Sequence, residues 1–210
     1  MQKSKKVRLI LSALKQHYPD AHCALHFSNP FELMVATILS AQCTDERVNQ
    51  VTEKLFQKYT SPQDFAEAEL SELEQDIRPT GFFRNKALSI QEASQAILKN
   101  HGGEVPNNLA QLVALRGVGR KTANVVMGNA FGKADGVVVD THVSRLSQRL
   151  GLTHESQPEK IEQELMRLIP ENDWVLFPHL MIAHGRAVCK ARTPLCERCQ
   201  LVQLCPSSHV

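Results

Sequence analysis

The stretch that says most about this chain is Leu115-Arg116-Gly117-Val118-Gly119-Arg120-Lys121-Thr122. Its two glycines at i and i+2 let the backbone turn tightly and approach another molecule closely. A helical pattern runs into this stretch and another runs out of it, which predicts two helices joined by a hairpin. Lys121 then lies in the first turn of the outgoing helix, beside backbone N–H groups without partners in the helix. Such a helix start suits a phosphate, and a lysine amine can attack an electrophilic carbon.

A carboxylate follows this hairpin along the chain. Asp140 comes directly after the apolar run Val137-Val138-Val139 and before another helical pattern. Aspartate at such a place is a good helix N-cap, but a carboxylate can also take a proton from an attacking amine. The residues by themselves leave both roles open for Asp140, and they leave Lys121 as either a phosphate contact or a nucleophile.

Helical periodicity dominates the remainder, so we predict an all-α protein. Asn29-Pro30 predicts a capped start for an apolar, buried helix, and Gly132 and Gly151 predict two helix ends. The strand-like run 136–139 is too short to found a sheet. The predicted helices are 31–41, one capped by residue 44 or 45, 65–77, 85–99, 108–115, 120–131, 141–150, one starting at 158, and 173–188.

Composition leaves the partner open, but the charges are unevenly placed. The 210 residues have room for one large or two small domains, and the net charge is only +2. Residues 61–77 carry six acids and no base, whereas 116–149 carry six bases and two acids, and 185–205 carry four bases and one acid. Two basic segments suit a polyanion, although a solvated helix face explains any one of them.

We expect a cytoplasmic protein without a membrane partner. No apolar run approaches the ~20 residues of a membrane span, and no apolar leader or cleavage site follows the basic start. Six cysteines in a reducing compartment argue against a disulfide framework.

Four cysteines are spaced C-x6-C-x2-C-x5-C, namely Cys189, Cys196, Cys199 and Cys205. Four thiolates this close suit zinc or an iron–sulfur cluster. Zinc sites usually pair two C-x2-C elements and this segment has one, so the wider gaps favour a four-iron cluster. We expect the distant Cys23 and Cys43 to pack as small hydrophobic side chains.

With these features placed, the chain resembles the endonuclease III family of DNA-repair glycosylases, which belong to the helix-hairpin-helix superfamily. A lone glycine hairpin would be weak evidence, but the hairpin and the cysteine spacing together are highly specific. The resemblance covers nearly the whole chain in matching order. Besides the cysteines, it includes Leu39-Ser-Ala-Gln42-Cys-Thr-Asp45, Gly103-Glu-Val-Pro106, the hairpin through Ala123, Val139-Asp140-Thr141-His142-Val143-x-Arg145, and His184-Gly185-Arg186.

The resemblance implies two helical lobes with a DNA cleft between them. One is a six-helix barrel over residues 22–133, with the helix-hairpin-helix at about 108–131. The other joins residues 1–21 to 134–210 and holds a [4Fe-4S] cluster in the loop 189–205. The turn 133–136 is the expected crossing between the lobes.

The implied activity is that of a bifunctional DNA N-glycosylase and abasic-site lyase that removes oxidised pyrimidines. Lys121 attacks C1′ of a flipped nucleotide and forms a Schiff base, and β-elimination then cuts the strand. Asp140 takes a proton and stabilises positive charge on the sugar. The expected partner is double-stranded DNA with a damaged base or an abasic site, bound by a monomeric, nucleoid-associated protein.

The resemblance also suggests individual DNA contacts. Gln42 enters the gap left by the flipped base, and Phe82 wedges the opposite strand; the alternatives are a polar helix end and core packing. Thr193 and Leu195 are uncharged where relatives can be basic, which predicts weaker affinity. Further expected contacts are Arg116 (commonly proline in the family), Gly117, Val118, Gly119, Arg120, His142, Lys190 and Arg192.

Three alternatives stay in view. A monofunctional glycosylase of the adenine- or mismatch-specific branch shares the hairpin and the cluster but carries another residue at the position of Lys121. A DNA-binding module that uses the hairpin only as a phosphate clamp leaves Asp140 and the cysteines unexplained. The third is a metal site with histidine ligands. His179 and His184 are five residues apart and off one helical face, so we expect packing or polar roles for both.

Overall fold

The computed structural model describes residues 3–210, and within that range it contains helices and no strand. The all-α prediction is therefore confirmed, and the run 136–139 is extended without sheet pairing. The helices are α1 (Lys3–His17), α2 (Pro30–Leu39), α3 (Asp45–Lys58), α4 (Pro62–Glu67), α5 (Leu70–Asp76), α6 (Phe83–His101), α7 (Leu109–Val113), α8 (Arg120–Phe131), α9 (Thr141–Arg149), α10 (Pro158–Leu168) and α11 (Leu176–Ala187). Short 3₁₀ turns lie at Arg78–Thr80, Glu171–Asp173, Cys196–Arg198 and Val202–Leu204.

The chain divides into two compact units. The first, called here the hairpin unit, is the continuous segment Ala24–Lys133. The second, called here the cysteine unit, combines the residues up to Cys23 with Ala134–Val210. The chain passes from one unit into the other at Cys23 and returns after Lys133.

The hairpin unit is organised around α2. Its start is capped as predicted, because the Asn29 side chain accepts a hydrogen bond from the Glu32 N–H at 2.9 Å. From Leu33 to Leu39 every residue is buried, which is what a helix apolar on nearly all sides requires. Helices α3, α6 and α8 pack against it. Each fully buried leucine, isoleucine or methionine stabilises the unit by roughly 1.5–3 kcal/mol, so α2 firmly supports the helix that follows the hairpin.

The single helix predicted at 65–77 is wrong, since α4 and α5 replace it. Ser61 and Asp64 form a capping box, which starts α4 at Pro62, earlier than predicted. Ala68 then has φ −56° and ψ 140°, a conformation that ends α4. The predicted helix 173–188, by contrast, begins later than predicted, at Leu176, after the 3₁₀ turn Glu171–Asp173.

The cysteine unit joins distant parts of the sequence through α1. The apolar face of α1, which consists of Val7, Ile10, Leu11 and Leu14, is buried against α10 and α11. Cys189, Cys199 and Cys205 pack at the border of this core. No helix in residues 3–210 combines the length and the apolar character that crossing a bilayer would need.

Candidate active site

The glycine hairpin is held by its apolar residues and exposes its glycines. Leu115 and Val118 are buried, and the Val118 N–H donates to the Leu115 carbonyl at 3.1 Å. Gly117 has φ +76°, and a Cβ there would lie 2.7 Å from the Ser89 Cβ. Gly119, the N-cap of α8, has φ −80°, and a Cβ there would meet nothing within 4 Å. Gly117 is therefore required by the fold, whereas Gly119 leaves open space in front of the helix start.

Lys121 lies in the first turn of α8 as predicted, and its side chain is exposed. The opposite face of α8 carries Ala123, Val126 and Met127 into the core, which directs Lys121 outward. Gly119, the N-cap residue, has no side chain that could accept a hydrogen bond from the first-turn N–H groups of α8. The first-turn N–H groups, at the positive end of the helix dipole, thus have the arrangement that binds a phosphate.

Arg116, at the tip of the hairpin, forms an ion pair in which one guanidinium nitrogen contacts both oxygens of a carboxylate. Its Nη1 lies 2.9 Å and 3.0 Å from the two carboxylate oxygens of Glu92 on α6. Both side chains are nearly half exposed, so the pair stabilises the fold by only ~0–1 kcal/mol. A phosphate contact by Arg116 therefore has to compete with Glu92, but the competition is weak. Val118 has a buried side chain, so a DNA contact there is restricted to its backbone.

Asp140 is the N-cap of α9, as predicted from the residues. Its Oδ1 accepts a hydrogen bond from the Val143 N–H at 2.7 Å, and the side chain is half-buried. Val137 is fully buried just before it, which fixes the extended segment that leads into the cap. The hydrogen bond to the Val143 N–H and the burial of Val137 thus determine where the carboxylate lies within the cysteine unit.

His142 lies where α9 packs against α11. Its Nδ1 is 3.2 Å from Arg145 Nη2, and a Cβ added at Gly185 would lie 2.6 Å from the same nitrogen. The glycine of the His184-Gly185-Arg186 motif is therefore needed for close packing of the two helices. The motif was visible in the sequence, but only the packing explains it.

Gln42 and Phe82 share an unusual backbone conformation. Their φ angles are +54° and +49°, and within residues 3–210 no other residue besides glycine has a positive φ. Both side chains are exposed, Phe82 to 63%, so the core-packing alternative for Phe82 is wrong. Together with Gly117 they border one cavity of about 220 Å³. The remaining residues lining it are Ile38, Ala41, Asn85, Lys86 and Ser89.

The four clustered cysteines surround a single cavity of about 190 Å³. All four are free and half-buried. Burial raises the pKa of the Cys199 and Cys205 thiols, and the charge of the neighbouring cysteines raises it further. Four thiolates around one space therefore need a cationic group to compensate them, as an iron–sulfur cluster does. No three His, Cys, Asp or Glu side chains in the described range are grouped to hold a single metal ion.

The sulfur of Cys189 contacts Arg149, the last residue of α9. Arg149 Nη1 lies 3.3 Å from Cys189 Sγ, and the same guanidinium donates to the Lys190 and Ala191 carbonyls at 2.8 Å and 2.7 Å. Arg149 thereby holds the loop that presents the exposed Lys190 and Arg192. Apart from the basic character of α9, no sequence pattern indicates this role of Arg149.

His184 contacts a second sulfur from the interior of the cysteine unit. It is 2% exposed, its Nδ1 lies 3.1 Å from the Tyr18 hydroxyl, and its Nε2 lies 3.5 Å from Cys199 Sγ. Burial, with a smaller contribution from His17, lowers its pKa to about 4. His184 is therefore neutral, buried and hydrogen-bonded, in agreement with the packing or polar role expected for it. Cys23 and Cys43 are half-buried, and their packing as small hydrophobic side chains stays a prediction.

Comparison with known proteins gives consistent results. The HhH-GPD superfamily of base excision DNA repair proteins matches residues 35–171. Endonuclease III of Synechocystis sp. is 56% identical over 208 residues, which covers 98% of this chain and 95% of the relative. Endonuclease III of Bacillus subtilis is 48% identical over 202 residues, which covers 96% and 92%.

The structures agree with the sequences. A solved structure of a trapped endonuclease III–DNA covalent intermediate matches with a TM-score of 0.94 at 46% identity, covering 99% of this chain and 98% of that chain. The likeness thus extends over both units, including the hairpin and the cysteine loop. The chain belongs to the endonuclease III family, within the HhH-GPD superfamily of base excision DNA repair proteins.

Proposed function

We propose that this protein is a base excision repair enzyme that removes oxidised pyrimidines from duplex DNA and then cleaves the abasic site. It acts as a monomer on DNA that carries a damaged base or an abasic site. The observation that carries the proposal is Lys121, an exposed amine in the first turn of α8, next to a helix start suited to a phosphate. Its family includes an endonuclease III trapped as a covalent intermediate with DNA. An amine that attacks the sugar would form a covalent intermediate of this kind.

Lys121 is the nucleophile. The neutral amine attacks C1′ of the flipped nucleotide, the bond from C1′ to the base breaks, and the base leaves with the electron pair. The proton lost from the amine goes to Asp140, which passes it to O4′ as the C1′–O4′ bond breaks, and a Schiff base is left between Lys121 and C1′. A proton then leaves C2′, the C3′–O bond breaks, and the 3′ phosphate departs. Water finally hydrolyses the Schiff base and frees Lys121.

Asp140 has two roles in this proposal besides accepting that proton. Its hydrogen bond to the Val143 N–H caps α9 and limits rotation of the carboxylate. The negative charge of Asp140 stabilises the positive charge that develops on the sugar while the base departs. A carboxylate held by a cap is well suited to this, since it does not have to reorient during the reaction.

The DNA contacts come from three places. The first-turn N–H groups of α8, with Gly117, Gly119 and the basic Arg116 and Arg120, bind the backbone next to the lesion. Gln42 fills the gap that the flipped base leaves, and Phe82 inserts into the opposite strand. His142, Lys190 and Arg192 add contacts from the cysteine unit. Thr193 and Leu195 add no charge to that loop.

Cys189, Cys196, Cys199 and Cys205 hold a [4Fe-4S] cluster in this proposal. The donor set fits, because four thiols border one cavity, and because burial and mutual repulsion disfavour their thiolate forms unless a cationic group lies among them. When bound, the cluster supplies the positive charge that keeps the four thiolates together. The residues themselves then position Lys190 and Arg192 for the DNA backbone.

Borohydride trapping on an abasic duplex tests the proposal. The reagent reduces the Schiff base to a stable amine, so the wild-type protein should become linked to DNA. Lys121→Ala should abolish both the cross-link and the nick. Lys133→Ala, which changes an exposed lysine just beyond α8, is the matched control and should retain both.

Three duplexes separate the alternatives in one gel, with an oxidised pyrimidine, an abasic site, or A opposite 8-oxoguanine. Nicking of the first two supports the proposal. Base release without nicking indicates a monofunctional glycosylase, and binding without either indicates a DNA-binding module. Cross-linking by Lys121→Ala would refute the assignment of the nucleophile.

A further inference from the structure

The buried lysine of the hairpin unit is used by none of the steps above. Lys86 lies near the start of α6 and is only 5% exposed. Its Nζ donates to the Leu39 and Thr80 carbonyls, both at 2.8 Å. These bonds join segments 47 and 6 residues away along the chain. A single ammonium therefore connects three segments of the hairpin unit.

Both acceptors lie at the end of a helical segment. Leu39 is the final residue of α2, and Thr80 is the final residue of the 3₁₀ turn Arg78–Thr80. Carbonyls in the final turn of a helix have no intrahelical N–H partner and carry the negative end of the dipole. A cation is the group that such a place favours, and it satisfies two of these carbonyls at once.

Burial of this ammonium is unfavourable in itself. Desolvation lowers the pKa of Lys86, and its hydrogen bonds go to neutral carbonyls and not to a carboxylate. An apolar side chain of similar length would fill the same space without the cost of desolvating a charge. Filling the core therefore does not explain a lysine at position 86, whereas its hydrogen bonds to the two carbonyls do.

The two segments that Lys86 holds lead into the two left-handed residues. Gln42 follows Leu39 by three positions, and Phe82 follows Thr80 by two. Left-handed conformations of non-glycine residues persist only where the surroundings enforce them. Gln42, Phe82 and Lys86 also border the same cavity, next to Gly117.

We infer that Lys86 is a positioning residue for duplex distortion: its ammonium holds the backbone carbonyls before Gln42 and Phe82 and so fixes these two side chains relative to each other. This inference rests on the proposed function, in which Gln42 and Phe82 open the duplex. Because Gln42 and Phe82 are already held in place before binding, the entropy cost of ordering them on DNA is avoided. Schiff-base chemistry itself is independent of Lys86, because Lys121 lies on another helix.

Lys86→Met tests the inference, since it keeps the length of the side chain and removes its charge and donors. Lys99→Met is the matched control, because Lys99 is an exposed lysine on the same helix. One assay follows 2-aminopurine fluorescence opposite a tetrahydrofuran abasic analogue in a duplex, which rises when that base unstacks. The other measures single-turnover Schiff-base trapping on abasic DNA, both as a duplex and as a single strand.

We expect Lys86→Met to lose the fluorescence rise and to slow trapping on the duplex by about 10- to 100-fold, as misplacement of positioning groups does. Trapping on the single strand, which has no opposite base to displace, should be unchanged. In a Gln42→Ala/Phe82→Ala background, Lys86→Met should have no further effect, because it acts through those residues.

Equal slowing on duplex and single strand would mean that Lys86 only supports the fold, and the inference would be overturned. Full activity of Lys86→Met on the duplex would overturn it as well. A wild-type protein that traps neither DNA would instead refute the proposed function. If Lys86→Met does not fold, Lys86→Gln replaces it: its side chain is shorter and uncharged and no longer holds both carbonyls, so the loss must again be confined to the duplex.

Discussion

The two glycines of the hairpin should respond in opposite ways to the same substitution. Gly117→Ala places a side chain on a backbone with φ +76°, and left-handed backbone costs an L-residue about 1–2 kcal/mol. Its Cβ would also lie 2.7 Å from the Cβ and 3.0 Å from the Oγ of Ser89. A Cβ cannot rotate away, so α6 or the hairpin must shift, at about 1–3 kcal/mol for overpacking. The expected loss is therefore about 2–5 kcal/mol from the sum of these terms.

Gly119→Ala should be nearly harmless to stability. Its backbone is ordinary, and its Cβ meets nothing within 4 Å, so the loss is limited to the weaker N-capping of alanine, about 1 kcal/mol or less. DNA binding should nevertheless fall, because the new methyl group stands where the phosphate approaches the helix start. Loss of one charge-assisted hydrogen bond predicts at least about a tenfold increase in Kd for an abasic duplex.

Urea unfolding followed by far-UV circular dichroism measures the first effect, and fluorescence anisotropy with labelled DNA measures the second. Ser89→Gly provides the control, through a double-mutant cycle with Gly117→Ala. It should recover the overpacking part of the loss and leave the backbone part. Equal free energies of unfolding for the two alanine variants, or no coupling to Ser89, would refute the reasoning.

Three further predictions concern the caps and the cysteine loop. Asp140→Ala should destabilise the protein by about 1 kcal/mol, whereas Asp140→Asn should keep the cap and yet slow trapping; equal destabilisation in urea unfolding would contradict the capping role. His184→Leu removes the hydrogen bond to Cys199 Sγ and should lose the ~400 nm absorbance of the cluster at least about tenfold faster in air; an unchanged half-life would contradict the contact. Backbone N–H bonds from Thr60 lower the pKa of Asp64 from 3.8, so its stabilisation is complete above pH 3.8 and is lost as pH falls through the lowered pKa. The difference in Tm between wild type and Asp64→Ala should shrink in that acidic range, and a constant difference would contradict the role of the charge.

Local signals predicted much of the fold. Asn29, Gly132 and Asp140 act within one turn of their own position, so the sequence alone determines the helix ends that they form. The break between α4 and α5 escaped prediction because Ala68 carries no glycine or proline signal. Its extended conformation reflects packing of both short helices on α6, which only the tertiary structure reveals.

The candidate site depends more on contacts between distant residues. The spacing of the cysteines and the position of Lys121 were readable, because each is set by a few consecutive residues. Lys86 was missed because its partner Leu39 is 47 residues away and neither residue type signals the contact. The pairing of His184 with Tyr18 spans 166 residues, and for the same reason no periodicity indicates it.

The divided cysteine unit also determines an order of events during protein synthesis. The segment Ala24–Lys133 is continuous, so it can form its internal contacts while the ribosome is still adding later residues, at roughly 5–20 residues per second. Helix α1 is made first but must wait for α10 and α11, which follow that whole segment. Its apolar face is meanwhile exposed to chaperones. The four cysteines are made later still, so any group that they hold is added after the hairpin unit has had time to fold.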